Sequence, residues 1–278
     1  MILSVTLDGR VIGIAPFSVK GDTAYFLGIP DVCDYQDLIT LPGHEPQVVQ
    51  SLLGYLTGQG VKHLDLGTLR PDSALFAGLE PLVAEKRIAV ERIAEDVTYE
   101  TSLPSSWDDF LLQLNGKQRH EVRRKLRRLE SQGDFAYHAA ADNGQLQQAT
   151  DNFLQLFQMN RPDKARFMDE TMSAYFRDLI KALSDHQMLR LYFLDVGSRP
   201  AASVLCFDYG QVRYLYNSGY DEQYQDLSVG VLSKLFSIQA GIEAGCRRFD
   251  FLKGSEIYKK RIGGHEVPLY RCKIELRN

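Results

Sequence analysis

The chain has 278 residues, of which 44% are apolar and 24% charged, with a formal net charge of −4. That length suits two domains better than one, and the balance excludes a disordered or collagenous chain and gives no bulk-charge reason to expect nucleic-acid or membrane binding. No apolar run reaches the roughly 18 residues that span a bilayer, and the start at Met1 lacks the basic stretch and cleavage site of a secretory signal, so a cytoplasmic location is expected.

From the N-terminus, Leu7-Asp-Gly-Arg10 reads as a hairpin turn whose second strand runs to about Phe17, followed by a strand over 22–27. A helix is expected over about Glu45 to Thr57, and a short strand at His63 to Leu66. Ser106 is placed to cap a helix, Asn115-Gly116 breaks it, and Lys117 to Ser131 continues as a helix with Val122, Leu126 and Leu129 on one face and Gly133 at its end. A strand at 134–139, helices opening at Asn143 and Asp169, and strands at 188–195, 201–207 and 211–217 follow. The last elements are a helix at about Ser228 to Ala244 and a strand around Asp250. The order β-α-α-β-β-β-α-β implies a mixed sheet with helices packed on it.

The four cysteines (Cys33, Cys206, Cys246, Cys272) lie far apart, without C-x-x-C or nearby His at ligand spacing. Buried free thiols fit this better than a disulfide framework or a metal site, and no metal is expected.

Part of the chain repeats. Under one constant shift without gaps, Arg10 falls on Arg199, Gly21 on Gly210, Tyr25 on Tyr214, and Tyr35-Gln-Asp-Leu38 on Tyr224-Gln-Asp-Leu227. Each copy then has a helix, a Gly (Gly60, Gly245) and a strand with one acidic residue (Asp65, Asp250). The copies set two related α/β halves, 1–104 and 105–278. The first begins almost at Met1, so either its opening helices were lost or the chain begins later than a full-length relative would.

Two segments carry candidate chemistry. Gln225-Asp-Leu-Ser-Val-Gly230 joins a strand to an apolar helix. Ser228 is expected to cap that helix, Gly230 to let a ligand near the backbone, and the helix start to favour a pyrophosphate. The alternative is a plain helix cap. Lys117 to Glu130 holds seven Lys/Arg against two Glu. Lys117, Arg119, Arg123 and Arg124 are candidates for an anionic substrate, because guanidinium groups match phosphate geometry; the alternative is a solvated amphipathic helix, and His120 is a bystander.

The Gln225-x-x-Ser228-x-Gly230 spacing resembles the CoA-pyrophosphate loop of the GNAT N-acyltransferase superfamily, with Ser228 where a Gly is usual. Phe249-Asp-Phe-Leu-Lys-Gly254, Tyr258-Lys-Lys-Arg-Ile-Gly263, Tyr214 and Tyr216, the turn at 218–221 and the basic helix together resemble the CelD-like acetyltransferases, which are related to the FemABX aminoacyltransferases. The resemblance is strongest from Ser106 to Gly263. It implies α/β (α+β) tandem GNAT-like halves, each a mixed central sheet flanked by helices, with the first half N-terminally short. It further implies an N-acyltransferase moving an acyl group from acyl-CoA, acetyl-CoA above all, to an amine in a small-molecule, envelope or polysaccharide precursor. Gln225, Ser228, Val229 and Gly230 would hold the donor. Lys259 would stabilise the oxyanion or leaving group, Tyr258 would donate a proton, and Asp250 would orient Lys259 or accept the amine proton. The alternatives are a solvated lysine beside Lys260 and Arg261, a packed aromatic at Tyr258 and a strand-end structural carboxylate at Asp250. The rivals are an aminoacyl-tRNA-dependent transferase, with the basic helix on the tRNA, and a non-catalytic anion-binding module.

Overall fold

The structure, a computed structural model, describes residues 1–29, 32–85, 88–140, 145–159 and 166–276. The chain forms two compact units. One comprises Met1–Thr98, Lys253–Ser255 and Glu266–Asn278, the other Tyr99–Leu252 and Glu256–His265.

In the first unit, β1 (Ile2–Leu7) and β2 (Arg10–Lys20) form a hairpin, and β3 (Thr23–Phe26) returns along β2. Its turn residues Asp8 and Gly9 have φ of 49° and 77°, the geometry for which Asp-Gly is favoured. The short β4 (Ile39–Thr40) also pairs with β2. Helix α1 (Glu45–Gly58) leads to β5 (His63–Leu69), parallel to β3. Helix α2 (Ala74–Ala84) opens on Ser73, and Asp37 adds caps by accepting the N–H groups of Ala74 and Leu75. Strand β6 (Val90–Ser102) carries the chain out of this unit. Strand β12 (His265–Glu275), last in sequence, pairs antiparallel with β5 and puts Cys272 and Ile274 into the core with Phe17, Val48, Leu52 and Leu66.

The second unit opens with α3 (Trp107–Gln113), capped by Ser106, and α4 (Gly116–Glu130). Asn115 begins α4 with a reciprocal capping box to Gln118, so the expected break is a helix start. The elements β7 (Phe135–Ala139), α5 (Leu146–Met159), α6 (Glu170–Asp185), β8 (Leu189–Val196), β9 (Arg199–Tyr209), β10 (Val212–Tyr220), α7 (Val229–Glu243) and β11 (Arg248–Lys253) follow in the expected order. Asp169 caps α6 as expected; Asn143 lies outside the described residues. The sheet order is β11-β10-β9-β8-β7, parallel only between β10 and β11. Helices α5 and α6 bury Phe153, Phe157, Phe176 and Ile180 against Leu191, Phe193 and Leu205 on one face. On the other face, Phe236 of α7 packs on Phe135 and Tyr137. Gly219 lets α5 sit directly on β10, since a Cβ there would lie 2.4 Å from the α5 backbone.

The repeat extends to hydrogen-bond register. The shift that takes Arg10 to Arg199 converts every β1–β2 pair, from Ile2↔Pro16 to Leu7↔Arg10, into a β8–β9 pair, from Leu191↔Leu205 to Val196↔Arg199. Even the irregularity between Val5 and Thr6 recurs between Leu194 and Asp195. The four β2–β3 pairs likewise map onto the β9–β10 pairs from Cys206↔Leu215 to Tyr209↔Val212. A one-residue slip would exchange the faces of every side chain, so shared register with a shared bulge points to duplication rather than chance resemblance.

Candidate active site

Strands β10 and β11 pair only from Val212↔Arg248 to Tyr214↔Asp250, while β10 continues to Tyr220. A 3₁₀ turn (Glu222–Leu227) then leads into α7. Ser228 links the two with φ 59°, ψ 32°, and makes no cap bond. This corrects the expected cap: the left-handed link turns the hydroxyl away from the helix, and Oγ instead accepts a bond from Lys125 Nζ at 3.0 Å. Arg128 Nη1 donates to the Asp226 carbonyl in the same turn. Two cations of α4 therefore converge beside the start of α7, where the first amides have no intrahelical acceptor. Val231 N is the first to close on Ser228 O, at 2.9 Å.

The donor-loop residues fare differently. Val229 is fully buried, and Gln225 is exposed on the turn. Gly230 is required by a neighbour. A Cβ there would lie 2.7 Å from the Tyr220 ring, so the close approach expected of a ligand is made by that ring instead.

The equivalent helix of the first unit offers no such site. α1 begins with Glu45-Pro46, its Pro lacks an N–H, and the Glu45 carboxylate accepts the Gly43 N–H at 2.9 Å. A carboxylate in the first turn opposes a phosphate there.

Asp250, Tyr258 and Lys259 gather at the end of β11. Leu252 holds φ 58°, an uncommon conformation for a branched residue. Asp250 Oδ1 accepts its N–H at 2.8 Å, and Lys259 Nζ donates to its carbonyl at 2.9 Å. The Lys259 ammonium also pairs with Glu256 at 2.9 Å and is 2% exposed; Asp250 is 0% exposed. Both thus clamp the Leu252 peptide instead of facing an open cleft, because its strained turn needs partners on both sides. Tyr258, on α8 (Ile257–Arg261), is half-buried, and burial raises its hydroxyl pKa and keeps it protonated. Lys234 Nζ lies 4.9 Å from the centre of its ring and donates to Gly230 O at 2.7 Å, which ties Tyr258 to the first turn of α7.

On α4, Arg124 is held by Glu121 through bonds of 2.9 and 2.8 Å. This removes it from the anion-binding set, since the fork is already occupied. Bonds from Arg124 and Lys125 pull the Glu121 carboxyl down to about 2. Arg119, His120, Arg123 and Arg127 line a surface groove of about 520 Å³; Lys117 stands exposed outside it. Sequence reasoning missed Lys125 and Lys234. Both lie inside helices whose packing partners are distant in the chain.

A family model described as an acetyltransferase (GNAT) domain matches residues 116–260, just over half of the chain. The chain belongs to that GNAT family. The match runs from the first residue of α4 to α8 and takes in both the α7 start and the Leu252 clamp. A comparison with curated protein sequences returns no match. Among solved structures, FemX is similar with a TM-score of 0.63 and 11% identity over 98% of this chain and 87% of that one. The C-terminal domain of a putative lysylphosphatidylglycerol synthetase from Agrobacterium fabrum gives 0.61 and 13%, over 99% and 83%. L-PGS from Bacillus licheniformis gives 0.60 and 12%, over 96% and 82%. At these identities the likeness concerns the GNAT fold alone. No helix among the described residues is long and apolar enough to cross a membrane.

Proposed function

We propose that both units are GNAT-like halves and that the second transfers an acyl group from acyl-CoA to an amine. One observation carries this reading: Lys125 and Arg128 meet the start of α7, whereas the matching helix of the first unit starts with Glu45-Pro46. Cations beside open helix amides suit a pyrophosphate. The amides of Val229 and Gly230 and the Lys125 ammonium would hold it, and the parted strands β10 and β11 would admit the acyl arm.

The amine nitrogen bonds the thioester carbon, the C–S bond breaks, and the amine loses a proton. Tyr258, which Lys234 ties to the first turn of α7, is assigned to protonate the departing sulfur, and the proton released by the amine restores it. Asp250 and Lys259 act as positioning residues that hold Leu252 and with it the end of β11. Arg119 and Arg123, joined by Arg127, are assigned to an anionic group of the acceptor.

A second reading, a tRNA-borne donor, is favoured by the i, i+4, i+8 spacing of Arg119, Arg123 and Arg127, which sets charges about 6 Å apart along α4. Ionic strength separates the two, since binding through many phosphates collapses with added salt. The direct test is Tyr258→Phe, assayed for thiol release from acetyl-CoA with a panel of amines. Turnover should fall about tenfold or more with CoA affinity unchanged. Unchanged turnover would remove Tyr258 from the reaction, and no thiol release by the unmodified protein with any amine would remove the reaction itself.

A further inference from the structure

The shared register allows the outer edge of β1 to be compared with that of β8 residue by residue. In the second unit β7 pairs antiparallel along β8, from Ala139↔Tyr192 to Phe135↔Val196. There α5 and α6 bury Leu191, Phe193 and Leu205. The matching residues of the first unit are Ile2, Ser4 and Pro16. Ile2 is 70% exposed where Leu191 is 2% exposed. β1 is the end strand of its sheet, and Met1 just before it is exposed as well.

The edge has a definite hydrogen-bond pattern. Met1 and Phe17 exchange both of their backbone bonds. The alternation of an antiparallel ladder then turns the N–H and C=O groups of Leu3 and Val5 toward β2, and those of Ile2, Ser4 and Thr6 outward. From Ile2 to Leu7 the strand has no charge and no proline, the devices that keep natural edges from pairing.

We propose that a second copy of this chain occupies this edge, with the two β1 strands antiparallel about a two-fold axis at Ser4. Ser4 then faces the partner's Ser4, and Ile2 faces the partner's Thr6, so all three outward-facing residues are bonded at once. An uncharged strand meets its own copy without like-charge repulsion, and a two-fold contact requires such self-complementarity. The edge is about 20 Å long. With only Met1 flanking it, this is a small contact for a specific interface, so a dimer of micromolar affinity or weaker is expected.

Sedimentation velocity of the full chain from about 1 to 200 μM should show the mass rising from 31.5 kDa toward twice that value. The double variant Ile2→Lys/Ser4→Lys, both at exposed positions, should need about tenfold more protein to dimerise. Ser4→Cys should oxidise to a linked dimer, because a hydrogen-bonded pair places its Cα atoms about 5.5 Å apart, within disulfide reach. Thr6→Cys should not link. A monomer throughout the range without a Ser4→Cys cross-link would overturn the proposal. So would a dimer that cross-links equally through Thr6→Cys or ignores the two lysines. Should the lysine variant fail to fold, the cysteine pair decides.

Discussion

Replacing Lys125 by Met removes a charge while keeping most of the apolar stem, and it tests the donor site at its most specific contact. Lys125 Nζ is 3.0 Å from Ser228 Oγ at the mouth of α7. A phosphate at that mouth, about 5 Å from the ammonium, gains roughly 3 kcal/mol at an effective dielectric near 20. Glu121, 3.0 Å from the same ammonium, opposes part of this, and solvent screens more. What remains is about 1.4–2.8 kcal/mol, or a 10- to 100-fold weaker Kd. Calorimetric titration of CoA into the protein and into Lys125→Met reads this directly, with a melting curve to confirm that the variant is folded. A Kd within about twofold of the parent, in a folded variant, would refute the assignment of Lys125 to the phosphate.

Three further outcomes are expected. Glu121→Gln removes the opposing charge beside Lys125, so CoA should bind several-fold tighter by the same titration; weaker binding would mean that Glu121 orients the lysine more than it neutralises it. Gly219→Ala would force α5 off β10, and chemical denaturation should show a loss of about 2 kcal/mol or more; an unchanged midpoint would contradict the close packing. Burial pushes the Cys206 and Cys272 thiols up to about 12 and raises Cys246, so at pH 8 all three are almost wholly protonated. A thiol reagent should therefore modify them only on unfolding, with thiolate reactivity of Cys206 and Cys272 rising only as the pH approaches 12; rapid native labelling of Cys206 would contradict its burial.

The repeated β-α-β core was legible because the shift from Arg10 to Arg199 preserves the Gly21/Gly210 turn and the strand alternation, and register follows from those. Strands β6 and β12 escaped notice for a different reason. Glu91, Glu95 and Asp96 interrupt the first, and Pro268 sits within the second, a residue that argues against a strand wherever pairing is unknown. Helix α2 was hidden by Pro81 in its interior. In the candidate site, the α7 start was readable from Gln225 to Gly230, but its cations were not. Lys125 reaches Ser228 across 103 positions of chain, and only the packing of α4 brings them together. Gly230 stood out by its small size alone. A small residue signals a close neighbour, yet its sequence context does not say whether that neighbour is a ligand or, as here, the Tyr220 ring. For Lys259 and Asp250, the motif located two charged groups, and the fold buries both against the Leu252 peptide.

In the proposed reaction the start of α7, with Lys125 beside it, grips the phosphates of the acyl carrier. A crystal structure with acetyl-CoA bound measures this most directly. The expected result is a pyrophosphate within hydrogen-bond distance of the Val229 or Gly230 amide and of Lys125 Nζ. A carrier seated elsewhere, with those amides and that ammonium facing only water, would contradict it.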